Sequence, residues 1–97
     1  MNHVTFKKWD VVKHLKTSKD EVLYLDACLA EGDSALVAAA LGDIARARGM
    51  SQVARDTGMS RESLYRSLSG EGNPEFATVM KVIKALGIRL HTSAAAS

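Results

Sequence analysis

Most of this chain repeats its apolar positions with a helical period, and glycines punctuate the repeats. Trp9, Val12 and Leu15 are spaced i, i+3, i+6, enough for one or two amphipathic turns. Trp9 reads as a core or lid residue, or as an anchor for a partner. Ser18-Lys19-Asp20-Glu21 fits S-x-x-E, a capping box in which side chain and backbone satisfy each other. From that start Val22, Leu25, Leu29 and Cys28 line one helix face, and Gly32 ends the helix. Asp33 caps the next segment, in which Leu36, Val37, Ala40, Leu41, Ile44 and Ala45 make a continuous stripe. Arg46 and Arg48 stand in its last turn. There they complement the helix dipole or, lying just before the next element, reach a phosphate.

The stretch from Met50 to Ser69 predicts two short helices around a turn at Gly58. Residues 70–74, Gly-Glu-Gly-Asn-Pro, form a loop, with Asn73 as cap and Pro74 in the first turn of another helix. Phe76, Val79, Met80, Ile83 and Leu86 give that helix its apolar face, and Gly87 stops it. Residues 88–92, Ile-Arg-Leu-His-Thr, alternate as a short strand would. The expectation is therefore an all-α fold of about five helices with one C-terminal β-strand. A lone strand needs a partner for its backbone, and a second copy of the chain is the simplest supplier. Ile88, Arg89, Leu90, His91 and Thr92 thus become candidate dimer or partner contacts; the other reading is an extended tail on the domain's own surface.

The Met50–Ser69 stretch carries the chemistry. Two helices crossing closely need a small residue at the contact, supplied by Ala54, and a left-handed turn residue, supplied by Gly58. Val53, Met59, Leu64 and Leu68 hold the pair together. Glu62, Arg66 and Ser69 then point the other way, with Ser63 and Tyr65 flanking and Arg61 in the first turn. Such a unit places its second helix in the major groove of DNA. Arg61 and Arg66 suit guanine edges or phosphates, Glu62 suits cytosine, and Ser60, Ser63 and Tyr65 suit phosphates or bases. Ser51 and Gln52 open the first helix, a common place for a phosphate clamp.

Composition narrows this little. The 97 residues suit one small domain: residues 1–17 as an arm with a short helix, 18–92 as the helical domain, 93–97 as a frayed tail. The net charge is +2, mildly basic. Residues 49–97 hold the excess, with six Lys/Arg against four Asp/Glu, where residues 1–48 balance at seven each. Cys28 is single, so neither an internal disulfide nor a thiolate zinc site is expected, and a reducing cytoplasm fits. No run suggests a signal peptide or membrane span. His3, His14 and His91 show no metal spacing, and no G-x-S-x-G, P-loop or zinc motif occurs. No enzyme activity, metal, cofactor or small-molecule ligand is expected.

In the run from Leu41 to Leu90, which includes RESLYRSLSGEGNPEF and VMKVIKALG, the sequence resembles the Xre/Cro-type helix-turn-helix proteins. Within them it is similar to the probable addiction module antidote proteins, over roughly residues 18–92. The resemblance implies a five-helix Xre/Cro-like domain and a cytoplasmic type II antitoxin. Its partner would be a small basic toxin of the RelE, ParE or HigB kind. It would also bind double-stranded operator DNA and repress its own operon. The broad Xre family places a phosphate-clamping glutamine eight residues before the turn glycine; here that position is Met50, and Gln52 comes two places later. The long disordered toxin-wrapping segment of many antitoxins has no counterpart, which leaves folded surfaces or residues 1–17 for the toxin. Two other readings stand beside this one: a stand-alone Xre-type repressor, and a protein-binding antidote whose helix pair is mainly structural.

Overall fold

The computed structural model describes residues 8–96, and among them it is all-helical. Six helices follow in order: α1 Lys8–His14, α2 Ser18–Glu31, α3 Ser34–Arg48, α4 Met50–Thr57, α5 Arg61–Ser67 and α6 Phe76–Ala85. The one or two amphipathic turns expected from residue 9 are α1, seven residues long, and six helices stand where the pattern suggested about five. The Trp9 side chain and residues 1–7 lie outside the described residues.

α3 is the central rod. It touches each of the other five helices. Ala40, Leu41, Ile44 and Ala45 are completely buried on it, and Gly42 and Asp43 are buried beside them. The Asp33 side chain accepts from the backbone N–H groups of Ala35 and Leu36, which starts the helix as expected. Gly42 marks the closest approach: a Cβ there would stand well under 3.0 Å from the carbonyl oxygen of Leu68, at the end of α5. Leu41, Ile44, Leu64, Leu68, Leu86 and Val82 are the largest fully buried side chains. Each contributes roughly 1.5–3 kcal/mol by leaving water.

The start of α2 differs from the expectation by one residue. Thr17, in an extended conformation, is the cap; its hydroxyl accepts from Asp20 N–H and the Asp20 carboxylate accepts from Thr17 N–H, both at 3.1 Å. The T-x-x-D box displaces S-x-x-E, and the shift leaves Glu21 free to turn inward. Glu21 is buried with Leu25 and Cys28 on one face, whereas Val22 and Leu29 remain largely exposed. Its carboxylate accepts from Arg48 Nε through both oxygens, at 2.9 and 3.0 Å. A terminal nitrogen of the same guanidinium donates to the carbonyl of Leu86 at 2.9 Å. One side chain thereby joins α2, the end of α3 and the end of α6. The Glu21 bond raises the Arg48 pKa further above its ordinary value.

A second buried network lies close by. Tyr24 hydroxyl donates to Asp43 Oδ2 at 2.7 Å, and Arg46 donates to Asp43 Oδ1. Burial of the phenol, and then its bond to Asp43, raise the Tyr24 pKa. Both arginines at the end of α3 are therefore held by carboxylates within the fold rather than presented to a phosphate.

α6 begins later than expected. Glu75 is its extended cap residue, and Asn73 and Pro74 precede it in the loop. Val82, Ile83 and Leu86 face the core, while Phe76 and Met80 face outward. Residues 88–92 form no strand. Ile88 N–H bonds to the carbonyl of Ile83 and its side chain packs on the core. Beyond it residues 89–96 are exposed and form neither helix nor strand, so the alternation reflects Ile88 packing on the core, and among the described residues no strand is present to pair with this segment.

Candidate nucleic-acid interface

α4 and α5 form a helix–turn–helix-like pair. Gly58 adopts the left-handed conformation at φ 73°, where a side chain would be strained. The Gly58 and Met59 N–H groups close the end of α4 on the carbonyls of Arg55 and Ala54. Thr57 hydroxyl donates to the carbonyl of Val53 at 2.8 Å, which fastens the last turn. Val53 and Ala54 are buried on α4, and Leu64 and Leu68 are buried on and just after α5. These fix which side of α5 faces inward.

The other side of α5 is open to solvent. Ser60 caps the helix, accepting from Ser63 N–H at 3.1 Å. Arg61, Glu62, Tyr65 and Arg66 are exposed along it, and Ser63 is half-buried. The Arg61 guanidinium lies 5.9 Å from the centre of the Tyr65 ring, a cation–π distance. Arg66 pairs with Glu62 at 3.7 Å across one helical turn. Both partners are highly exposed, so this pair contributes little to stability and opens readily. Ser69 lies beyond the helix, half-buried, and its hydroxyl donates to the Arg66 carbonyl.

The α4 candidates are less free. Ser51 is exposed in the first turn. Gln52 is exposed too, but its amide nitrogen donates to Asp56 at 2.8 Å and its amide oxygen accepts from Arg55 at 3.2 Å. Arg55 was not singled out by sequence; one position after Ala54, it is exposed on the outer side of α4. Lys81 and Lys84 of α6 also matter. They line a shallow hollow with Asp56 and Thr57, adding two cations beside the end of α4. Of the tail candidates, Ile88 packs on the core, and Arg89, Leu90, His91 and Thr92 are exposed, away from any strand.

The geometry defines a small helical protein with a core-anchored helix pair that presents Arg61, Tyr65 and Arg66 to solvent. The chain belongs to the family described as probable addiction module antidote protein, whose family model matches residues 5–94. An uncharacterized protein of Haemophilus influenzae is 58% identical over 83 residues, covering 86% of this chain and 86% of that one. No solved structure matches. An antidote implies a toxin to counteract, so the family suggests an antitoxin role, a toxin partner and a regulatory rather than an enzymatic protein. Among the described residues no helix is long and apolar enough to cross a membrane.

Proposed function

We propose that this chain is a cytoplasmic, DNA-binding antitoxin of the Xre/Cro helix-turn-helix type, which neutralises a small basic toxin of the RelE, ParE or HigB kind and represses its own operon. The observation that carries the reading is the two-sidedness of α5: Leu64 is buried, while Arg61, Glu62, Tyr65 and Arg66 are exposed on the same helix. α5 enters the major groove with Arg61 and Arg66 on guanine edges or phosphates and Glu62 accepting from cytosine. Ser60, Ser63, Tyr65 and Ser69, with Ser51 and Gln52 of α4, supply further polar contacts. The outward side of α5 carries only two arginines opposed by one glutamate, so two copies on one duplex are needed.

The test is fluorescence anisotropy with a duplex taken from the DNA preceding the coding region. Each arginine contact is worth roughly 1–3 kcal/mol, so Arg61→Ala with Arg66→Ala weakens binding by at least about 30-fold. The thermal melt stays close to that of the parent, because both side chains are exposed. The parent's affinity falls with salt at a log–log slope near −0.9 per phosphate neutralised. Parental affinity in the double variant refutes α5 as the reading helix.

A further inference from the structure

An apolar groove of about 430 Å³ runs between α2, the start of α3 and α6, away from the exposed side of α5. Leu29, Val37, Phe76, Val79 and Ile83 line it, and Leu90 of the tail closes one end. These side chains are spread over four segments, and several are open to water. Phe76 is 75% exposed, the most of any large apolar side chain among the described residues, and Leu29 and Leu90 are both above 40%. A solvated phenylalanine beside a concave apolar surface is the composition of an interface centre rather than of a finished surface.

Charge identifies the occupant. The charged side chain lining the groove is Asp33. Glu31 and Glu75 are exposed at its margin, next in sequence to Gly32 and to Phe76, which themselves line it. Asp26 lines the hollow behind Leu90 together with Arg89. Arg89 lines the hollows behind Leu90 and not the groove. Of the cations of the second half, Arg55, Arg61 and Arg66 lie on the helix pair, while Lys81, Lys84 and Arg89 line an adjoining hollow that shares Ile83 and Leu90 with the groove. The groove is thus acidic where Gly32, Asp33 and Phe76 line it, and its cations lie past Ile83 and Leu90. We infer that this groove is the toxin-docking site, filled by an apolar ridge of a basic protein whose Lys and Arg side chains meet Glu31, Asp33 and Glu75. The inference rests on the antitoxin reading and assigns that function a surface separate from α5, so that one copy can hold toxin and DNA together.

The experiment uses the full chain and, as probe, the purified product of the reading frame adjoining its gene. Binding is followed by titration calorimetry, and each variant is checked by thermal melt, by sedimentation and by anisotropy on the operator duplex. Phe76→Lys places a cation in an apolar, acidic-rimmed site and removes a central anchor, so affinity for the probe falls by at least roughly 30-fold. Its melt and duplex affinity stay at the parental values, because Phe76 is exposed. Glu31→Lys with Glu75→Lys slows association and flattens its salt dependence. Arg61→Ala with Arg66→Ala leaves probe binding intact. Parental probe affinity in Phe76→Lys overturns the groove assignment while leaving the antitoxin reading in place. So does a change in sedimentation without loss of probe binding, which makes the groove a contact between copies. A parent that does not bind the probe at all overturns both.

Discussion

Gly42→Ala sets two physical rules against each other, and the structure decides the sign. Alanine is favoured over glycine inside a helix by about 0.8–1.0 kcal/mol, so on propensity alone the variant should be stabilised. Gly42 lies in the middle of α3, where that gain would apply in full. The added Cβ, however, falls well under 3.0 Å from the Leu68 carbonyl oxygen, with the Leu68 Cβ also close. The obstacle is backbone and cannot rotate away, so α3 and the end of α5 must separate. Overpacking of this kind costs roughly 1–3 kcal/mol, and separation loosens Leu68, which is 1% exposed. Balanced against the propensity gain, the variant is destabilised by up to about 2 kcal/mol. For a domain this small the thermal midpoint falls by up to roughly 10 °C. Circular dichroism melts measure it, with Gly70→Ala as control, since a Cβ at Gly70 meets nothing within 4 Å. A midpoint above the parent's, the outcome propensity alone dictates, refutes the close approach of α3 and α5. The same displacement moves α5, so Gly42→Ala also weakens duplex binding at temperatures where the variant is still folded.

Two further predictions concern the buried networks. Arg48→Met leaves the Glu21 carboxylate, 3% exposed, without its cation and the Leu86 carbonyl without its donor. The loss is about 3 kcal/mol by urea unfolding, at the lower end for buried pairs because the Arg48 side chain is itself 35% exposed. Adding Glu21→Leu recovers most of it, and no recovery would show that the charge pairing is not the cause. Tyr24 gives a pH effect: its pKa is raised in the folded state, so its contribution is complete below the ordinary value of 10.0 and is lost as pH rises beyond it. Tyr24→Phe flattens the alkaline limb of the stability profile and costs about 1–2 kcal/mol at neutral pH, where a hydrogen bond to Asp43 is lost.

The local features were legible because they are encoded within a few residues. Asp33 caps α3, Gly58 turns left-handed and Leu64 and Leu68 share a buried side, all as their spacing predicts. The rotation of the longer helices was not. Phe76 to Ala85 carries a broad apolar side, running from Val82 round to Met80, and spacing alone does not say which edge of it packs inward. The face chosen from sequence included Phe76 and Met80, and the one buried by packing includes Val82. α2 shows the same difficulty in another form: a one-residue shift of its cap brings Glu21 inward, and nothing local distinguishes T-x-x-D from the overlapping S-x-x-E. The partner of Glu21 is 27 residues away and that of Arg48 on α6 is 38 away, separations at which periodicity carries no information. For the candidate interface, the identity of the α5 residues was readable. That Gln52 is engaged by Asp56 and Arg55 was not.

The Arg48 junction has a consequence for how the molecule comes apart. Its acceptors belong to residues 21 and 86, so the first half of the domain is not closed until the last helix has arrived. Opening of the end of α6 removes one acceptor from Arg48 and loosens its hold on Glu21 of α2. A fragment spanning only Met50–Ser69 lacks α3 and α6, the surfaces against which its apolar side is buried. A protease that cuts after the loop at residues 70–75 would therefore release unfolded chain, not a trimmed DNA reader. Cleavage there takes Val82, Ile83 and Leu86 from the core together, and with them the Leu86 carbonyl that Arg48 holds.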